Sequence, residues 1–527
     1  MLKKVFSAFL ACLIGATLSV GIFSVTGMES HAAGTGAVSI GSVRIAGSNV
    51  VIQASASDLP DSDDGVYYLF SEKVYQAGPA GNAVATAPVG PNATFQVPLA
   101  ENTAECRLYD KFQIAVKQGG ALVPVTGGHY ITNPEALAGG SPGRKNNGKK
   151  GLILDGAKMG NGEAAQLGVQ QGAYNINLED VIGGNGQVTW GYNGKNYQFD
   201  SAAVGMYDKV VKSSTEQGMG LTMVLLNPRA KGEEFMIAPA ARGGRCNYYM
   251  MNTSEQKGLE YLEAVVAFLA NRYNGRNGVG QVDNWVIGNE VNAKTVWNYC
   301  NIADEMAYAQ QYANSVRVCY NAIKSKHANA YVCISVDQNW TKIHNASYYS
   351  ARSMIEAVNY CLISEGNIDW CVAEHPYNYP MNWTSFWTPQ SATAAAMSTH
   401  GIDTPYLTMQ NIEQLSAYMS QQALRNTKGE VRPILLTEVG YSSTQGEEAQ
   451  AAAIVYAYQR ALSDPNIKMI IFNRQTDHAN EVKQGLAVGL TRPDGSHKLA
   501  FEFFQQMSGP NAGAYIQRAN AYMGISN

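Results

Sequence analysis

The sequence predicts an α/β protein, a (β/α)₈ TIM barrel preceded by an all-β sandwich domain. Two observations lead to this fold class. Short segments in which apolar and polar residues alternate fill residues 36–128 and are separated by turn-forming residues, a pattern typical of a β-sandwich. From residue 151 to residue 527, apolar strand-like segments alternate with longer segments of helical periodicity, which indicates βα units around a parallel sheet. A chain of 527 residues is long enough for both domains.

Residues 1–32 have the pattern of a secretory signal peptide. Lys3 and Lys4 precede an apolar stretch that extends to about residue 25, and Ser30-His31-Ala32 supplies small residues for a cleavage site. The alternative is an uncleaved membrane anchor. No later stretch has the ~18 apolar residues that a spanning helix needs. We therefore expect a secreted or extracellular protein with no integral membrane segment in the mature chain, and attachment to the cell surface stays open.

Composition narrows the classes of partner and cofactor. Hydrophobic residues make up 46% of the chain and charged residues 15%, which is enough apolar material for a large core. The formal net charge of -4 provides no basic surface for nucleic acid. The chain has no CxxC motif and no Cys/His cluster with zinc spacing, so no metal or other cofactor is expected. We also expect a monomer.

Seven cysteines remain after the signal peptide, and an odd number leaves at least one free thiol or an intermolecular pair. Cys246 and Cys300, in loops after the third and fourth predicted strands, are the best candidates for a disulfide. Cys333 and Cys371 lie in apolar strand-like segments and are expected to be core residues.

After the sandwich, residues 129–150 are interpreted as a linker because Gly, Pro and Asn are frequent in residues 139–148. Eight strand-like segments follow. The predicted strands are 151–155, 173–177, 221–227, 284–290, 330–337, 369–375, 433–438 and 468–473. The predicted helices lie near 208–217, 258–273, 303–326, 351–364, 412–424, 447–462 and 499–507. The alternative, an open doubly wound sheet, needs a glycine-rich phosphate turn after its first strand, and residues 155–160 lack that motif.

Two of the predicted strands end in glutamate. Strand four ends in Gly288-Asn289-Glu290 and strand seven in Thr437-Glu438. Barrel enzymes place catalytic groups at the C-terminal ends of their strands. Cleavage of a glycosidic bond needs two carboxyl groups, one to protonate the leaving oxygen and one to attack or to activate water. Either glutamate alone is explained by an end-of-strand salt bridge, but two in one barrel favour catalysis.

These strand ends resemble those of clan A of the glycoside hydrolases, over about residues 150–510. His375-Pro376-Tyr377 at the end of strand six is similar to the His-x-Tyr of several clan members. The resemblance is nearest to an uncharacterised family of secreted barrels, so it implies no substrate. It implies that Glu290 is the general acid/base and Glu438 the nucleophile of a retaining mechanism, and that Asn289 binds the 2-hydroxyl of the sugar.

Four further residues are predicted to bind substrate or to position the glutamates. Tyr377 is expected to contact Glu438, and His375 to bind substrate or bridge the two carboxyl groups. Arg229, after strand three, is expected to place its positive charge near Glu438, and Trp297 to stack on a sugar ring. The alternatives are a buried structural histidine, an arginine that faces solvent and a tryptophan that packs within its loop.

Strand eight departs from the clan A pattern. Many members end this strand in a Trp that supports a sugar, whereas this chain has Phe472-Asn473-Arg474-Gln475. Gln475 or Arg474 is expected to replace the missing ring as a polar contact. The departure leaves the geometry of the sugar subsites, and hence the substrate, open.

The sequence therefore predicts a secreted retaining glycoside hydrolase that cleaves β-glycosidic bonds of a polysaccharide or oligosaccharide without a cofactor. The main alternative is a non-catalytic carbohydrate-binding or surface-attachment protein on a glycosidase-like barrel. A third hypothesis is a metal-dependent hydrolase that uses Asp155, His375 and Asp477.

Overall fold

The computed structural model describes residues 38–229, 232, 234–345 and 347–525. The predicted signal peptide lies outside the described residues. The described chain consists of two antiparallel sheets at the N-terminal end, followed by a closed barrel of eight strands with helices around it.

The N-terminal part is built from short antiparallel strands. These strands are β1 (Val38–Ala46), β2 (Asn49–Ala56), β3 (Val66–Glu72), β4 (Ala85–Pro88), β5 (Asn92–Pro98), β6 (Lys111–Gln118), β7 (Ala121–Pro124) and β8 (His129–Tyr130). One sheet has the order β1-β2-β5, and the other has the order β4-β3-β6-β7 with β8 paired to β6. Along β5 every second side chain is buried, as the alternation in the sequence predicts. Buried side chains from both sheets belong to one hydrophobic core, which confirms the predicted N-terminal β domain.

The remaining strands form the barrel and one hairpin. They are β9 (Lys150–Ile153), β10 (Gln171–Asn177), β11 (Val188–Tyr192), β12 (Lys195–Phe199), β13 (Gly220–Leu226), β14 (Asn284–Ile287), β15 (Tyr331–Asp337), β16 (Cys371–His375), β17 (Ile434–Val439) and β18 (Ile467–Phe472). The barrel closes in the order β10-β13-β14-β15-β16-β17-β18-β9, and each neighbouring pair is parallel. The predicted fold class is confirmed. The β11–β12 hairpin is an addition that was not predicted.

Helices cover the outside of the barrel. They are α1 (Glu163–Gln166), α2 (Leu178–Ile182), α3 (Ser201–Glu216), α4 (Gln256–Arg272), α5 (Glu305–Lys324), α6 (Ala351–Ser364), α7 (Ala392–Ala395), α8 (Glu413–Met419), α9 (Glu447–Ser463), α10 (Ala479–Lys483), α11 (Leu499–Gln506) and α12 (Ala512–Met523). Polar side chains begin the long helices: Asp200, Asp304 and Ser350 accept hydrogen bonds from backbone N–H groups in the first turns of α3, α5 and α6. None of the described helices combines the length and hydropathy that crossing a membrane requires.

The N-terminal sheets pack tightly on the barrel. The hydroxyl groups of Tyr109 and Tyr192 lie 2.5 Å apart in a buried contact. The Asn321 amide donates to the Leu108 carbonyl oxygen at 2.9 Å, also within the interface. The segment predicted as a linker takes part in the packing, since β8 lies in a sheet and the Lys145 backbone N–H donates to Asp283 at 2.7 Å.

The cysteines in the described part of the chain are free thiols, so the prediction of a disulfide between Cys246 and Cys300 is wrong in this structure. The Cys246 thiol donates to the Thr295 carbonyl oxygen at 2.6 Å, whereas Cys300 is buried near the Lys294 ammonium group. Cys333 and Cys371 face each other on β15 and β16 and pack in the small hydrophobic cluster that contains inward-facing barrel residues, as predicted for core residues.

Candidate active site

A cavity of about 980 Å³ lies at the C-terminal ends of the barrel strands and contains both predicted catalytic glutamates. Most of the strands supply a polar side chain to its wall. These strand-end residues are Asn177, Glu290, Asp337, Tyr377, Glu438 and Asn473. Glu290 and Glu438 thus face one cavity although they lie 148 positions apart in the sequence.

A sharp turn after β14 points Glu290 towards the cavity. The backbone is left-handed at Gly288, with φ of +75°, and again at Glu290, with φ of +39°. A side-chain-bearing residue in this conformation costs of order 1–3 kcal/mol, and such strain is concentrated at functional sites. The neighbouring strand holds the turn in place: the Ser335 hydroxyl accepts from the Glu290 N–H at 3.0 Å, and the Ser335 carbonyl oxygen accepts from the Val291 N–H at 3.0 Å.

The Glu290 carboxyl group is largely buried and paired with a histidine. Its Oε1 lies 2.8 Å from Nδ1 of His375, whose Nε2 lies 3.1 Å from the Thr437 hydroxyl. Burial raises the pKa of Glu290 to about 7, and the charges of Asp337 and Glu438 act in the same direction, while His375 opposes them. Burial alone would lower the pKa of His375, but the hydrogen bond and the negative charges of Glu290 and Glu438 raise it above its ordinary value. The pair therefore keeps a proton available near neutral pH.

Glu438 has hydrogen-bond donors as its neighbours. The Tyr377 hydroxyl donates to Glu438 Oε1 at 2.6 Å. The Asn473 amide donates to the Tyr377 oxygen at 2.9 Å and to the same carboxyl oxygen at 3.3 Å. Donors of this kind stabilise a carboxylate and fix its direction. One carboxyl group that retains a proton and one surrounded by donors are the two states that glycoside cleavage requires.

Aromatic rings form much of the cavity wall. Tyr248 and Trp297 stack with ring centroids 5.9 Å apart, and both line the cavity. Tyr379 and Tyr406, which also line it, have centroids 4.8 Å apart. A flat apolar ring with a polar edge matches the face of a pyranose, so these two pairs can hold sugar rings.

Residues 142–527 match the family model described as "Family of unknown function (DUF5722)". The chain belongs to this family. No curated protein matches the sequence. The prediction of a clan A-like barrel from an uncharacterised family is therefore confirmed by the closed barrel and by this family.

The DUF5722 barrel is also similar to several solved structures. One is a family 39 glycoside hydrolase from Bacteroides cellulosilyticus WH2, with 14% identity, a TM-score of 0.47, and coverage of 84% of this chain and 76% of that chain. Another is a β-glucosidase from Pyrococcus furiosus, with 13% identity, a TM-score of 0.45, and coverage of 70% and 88%. A β-glucuronidase from Ruminococcus gnavus has 12% identity, a TM-score of 0.38, and coverage of 89% and 68%. All three TM-scores lie below 0.5, so the fold assignment depends on the closed barrel itself.

The DUF5722 site brings together Glu290, Glu438, His375, Tyr377 and Trp297. Tyr377 contacts Glu438, and His375 contacts Glu290, while Trp297 lines the cavity. Asn289 precedes Glu290 in the turn but is not among the residues that line the cavity, and its half-buried side chain makes no hydrogen bond within the described residues.

Two predicted site residues lie elsewhere. The exposed Arg229 guanidinium stacks 4.8 Å from the centre of the Tyr249 ring and donates to the Arg242 carbonyl oxygen, and no contact joins it to Glu438 within the described structure. The buried Gln475 amide donates to Glu163 at 2.7 Å and accepts from the Asp155 N–H at 2.9 Å. Gln475 thus connects the ends of β18 and β9 instead of facing the glutamates.

Sequence reasoning missed Tyr248, Asp337 and Asn473. Asp337 and Asn473 follow the same pattern as the two glutamates, because each stands at the end of a predicted strand, and that position could have identified them. Asp337 accepts from the amides of Asn292 and Asn339, both at 2.5 Å, and this network connects the turn after β14 to β15. Tyr248 comes from the long loop after β13, where no local pattern marks it.

Glu374 is buried on the opposite side of β16 from His375, as the strand pleat predicts. Neither of its carboxyl oxygens has a hydrogen-bond partner within the described residues. Burial, together with the charges of Asp337 and Glu290, holds the pKa of Glu374 well above its ordinary value.

The residues named for a metal-dependent hydrolase each have another partner. Asp477 is ion-paired with Lys498 at 2.7 Å, Asp155 accepts a hydrogen bond from the Ala157 N–H, and His375 contacts Glu290. No group of three or more potential metal-binding side chains occurs in the part of the chain that the structure describes.

Proposed function

We propose that this protein is a secreted glycoside hydrolase that cleaves β-glycosidic bonds of a polysaccharide or oligosaccharide with retention of configuration. One observation carries the proposal. Two carboxyl groups face a single cavity, and one of them has a pKa of about 7 while the other accepts hydrogen bonds from Tyr377 and Asn473. This difference supports the acid/base role for Glu290 and the nucleophile role for Glu438.

In the first step, Glu438 attacks the anomeric carbon while Glu290 donates its proton to the glycosidic oxygen. The bond between the anomeric carbon and that oxygen breaks, the leaving sugar departs as an alcohol, and an ester forms between the anomeric carbon and Glu438. The donors on Glu438 Oε1 hold the carboxylate in its attacking orientation. His375 opposes the effect of burial on the pKa of Glu290 and so keeps that pKa near neutral pH.

In the second step, Glu290 acts as a base. It removes a proton from a water molecule, whose oxygen attacks the anomeric carbon from the face that the leaving group occupied. The ester bond to Glu438 breaks, Glu438 returns to its carboxylate form, and Glu290 is protonated again. The two inversions restore the β configuration in the product.

The first experiment is a screen of aryl β-glycosides and β-linked polysaccharides with the purified mature chain. For an active substrate, Glu438→Gln should reduce kcat by about 10⁴-fold or more, because the nucleophile is lost. Glu448→Gln is the matched control, since Glu448 lies exposed on α9 with no hydrogen bond or ion pair within the described residues. Near-normal activity in Glu438→Gln would contradict the proposal.

Azide separates the two roles and tests retention. With an activated aryl β-glycoside, Glu438→Ala plus azide should produce the α-glycosyl azide, because azide replaces the nucleophile directly. Glu290→Ala plus azide should produce the β-glycosyl azide, because azide intercepts the ester intermediate. Proton NMR of the first product of the native enzyme should show the β anomer, and an α anomer would exclude the retaining mechanism.

Secretion is proposed from the pattern of residues 1–32. Expression of the full chain in a bacterial host should release a product whose N-terminus, read by mass spectrometry, lies close to residue 33. Recovery of the intact chain in the membrane fraction would favour an uncleaved anchor.

One observation favours a second candidate, a non-catalytic carbohydrate-binding protein. Asn473 stands at the end of β18, where many clan A enzymes have a sugar-supporting Trp. This candidate predicts that the native chain binds glycans from the same panel and hydrolyses none of them.

A further inference from the structure

The cavity around Glu290 and Glu438 is lined by more acidic than basic side chains. Its wall carries three further carboxyl groups, those of Glu179, Asp337 and Glu481. Among the described residues that line it, none is Lys or Arg, and the basic groups are the imidazoles of His344 and His478. The remaining polar lining consists of amides and tyrosine hydroxyls.

The nearest arginines at the strand ends already have partners. Arg474 follows Asn473 directly, and its guanidinium donates to the Asn473 side-chain oxygen at 3.0 Å and lies 3.3 Å from a Glu481 carboxyl oxygen. Arg229 stacks on Tyr249 and donates to a backbone carbonyl oxygen. Both guanidinium groups thus already have partners within the protein.

The charges of Glu179 and Glu438 both affect the wall of the cavity near Tyr248. Tyr248 lines the wall with Glu179 and Glu438, and burial raises its pKa while the negative charges of those two residues raise it further. The negative charges that act on the Tyr248 hydroxyl would also act on a ligand in the same cavity. A second anion placed there would be repelled, and the described residues of the wall include no Lys or Arg to replace its water.

We infer that this cavity binds sugar rings that are neutral or positively charged and excludes uronic acids. The inference rests on the proposed function, because it names the substrate class of the same site. Proteins recognise sugar carboxylates with Arg or Lys, and Arg does so through paired hydrogen bonds. This wall offers aromatic faces, amides and carboxyl groups, which suit the hydroxyl groups of neutral sugars and the ammonium group of an amino sugar.

Isofagomine and its uronic counterpart provide a matched pair of probes. Both are piperidines with a basic nitrogen at the anomeric position, and they differ only in a hydroxymethyl or a carboxylate group at C6. Isothermal titration calorimetry with the native chain, using the gluco- and galacto-configured pairs, should show at least about tenfold tighter binding of the hydroxymethyl form. Equal or tighter binding of a uronic form would overturn the inference and leave the proposed function intact.

Failure of the proposed function can be distinguished from failure of the inference about the charge of the sugar. If no probe binds and no aryl β-glycoside is cleaved, the proposed function fails and the inference fails with it. If a β-glucuronide is cleaved faster than the corresponding β-glucoside, the chain is a glycosidase but the inference is wrong.

A charge variant tests the physical cause. Glu179 stands in the first turn of α2 without an ion-pair partner among the described residues, so Glu179→Gln removes one wall charge with little change in shape. The affinity ratio between the hydroxymethyl and uronic probes should fall by about threefold, the effect of one charge ~7 Å away in water. Glu448→Gln, with the same change of charge on α9, should leave the ratio unchanged. An equal ratio in both variants would overturn the electrostatic explanation.

Discussion

Glu290 and Glu438 have identical side chains, but the residues around them differ. Glu290 is buried next to His375 and has a pKa of about 7, whereas Glu438 accepts hydrogen bonds from Tyr377 and Asn473. At the residue scale, the division between acid and nucleophile is therefore a property of the surrounding side chains. Changes to those neighbours should alter the chemistry while both glutamates remain in place.

The first residue-scale prediction concerns Tyr377→Phe. The variant removes the hydroxyl that donates to Glu438 at 2.6 Å, and a hydrogen bond to a charged group contributes about 1.5–3 kcal/mol. We expect kcat/KM to fall by about 10- to 100-fold with no change in fold by circular dichroism. Tyr458→Phe is the control, because it removes a hydroxyl on α9 that makes no hydrogen bond within the described residues. Equal activities of the two variants would contradict the role of Tyr377.

The second residue-scale prediction concerns pH. Glu290 must be protonated to act as an acid, and its pKa is raised to about 7, so kcat/KM should decrease as pH rises through about 7. His375 lowers the pKa of Glu290 through its hydrogen bond and its charge, and removal of both should raise that pKa. In His375→Leu the basic limb of the pH profile should therefore move to higher pH. A limb that stays in place or moves to lower pH would show that His375 does not act on Glu290.

At the scale of elements, the turn between β14 and α5 positions the acid. The predicted fourth strand extends to Glu290, but β14 ends at Ile287 because the backbone becomes left-handed at Gly288. Hydrogen bonds to Ser335, together with the network of Asn292 and Asp337, connect this turn to β15. The direction of Glu290 thus depends on the neighbouring strand.

Gly288→Ala tests this element. An added Cβ would lie 3.3 Å from a methyl group of Val291, and the left-handed conformation costs a side-chain-bearing residue ~1–2 kcal/mol. We expect the free energy of unfolding in denaturant to fall by about that amount and kcat to fall as well. In the control Gly205→Ala, the added Cβ meets no atom within 4 Å on helix α3, so the free energy of unfolding should rise by about 0.5–1 kcal/mol.

At the scale of the whole molecule, a partly buried cluster of charged side chains lies between the N-terminal sheets and the barrel. Lys73 and Asp110 pair at 2.6 Å, and their charges act on Glu263 of α4, which is 8% exposed. Burial raises the pKa of Glu263 to about 8, so its carboxyl group is mainly protonated in the folded protein at pH 7. The contact between the N-terminal domain and the barrel thus includes ionisable groups.

This cluster predicts how stability depends on pH. The pKa of Glu263 is raised from 4.5 to about 8 on folding, so between these values the unfolded chain loses the proton while the folded chain retains it. The contribution of Glu263 to the free energy of unfolding therefore decreases as pH rises from about 4.5 to about 8. Glu263→Gln should increase stability, and the gain should be larger at pH 8.5 than at pH 5.5 in urea titrations. Glu448→Gln should show no such pH-dependent gain.

Local patterns in the sequence were sufficient for most of the architecture. Strand and helix periodicity depends on residues a few positions apart, so it identified all eight barrel strands, the seven predicted helices and the two acidic strand ends. It missed α12 and the four short helices α1, α2, α7 and α10. It also missed the β11–β12 hairpin, although Asn193-Gly194 is a strong turn signal.

Only the tertiary structure decided how the site residues are used. Gln475 contacts Glu163, and Arg229 stacks on Tyr249, so neither faces Glu438; conversely, Asn473 and Tyr248 line the cavity. The pKa of Glu290 depends on burial by segments from several strands, which no local pattern records. The physical reason is that alternation and periodicity are properties of adjacent residues, whereas hydrogen-bond partners and burial are selected among residues that meet only when the barrel closes.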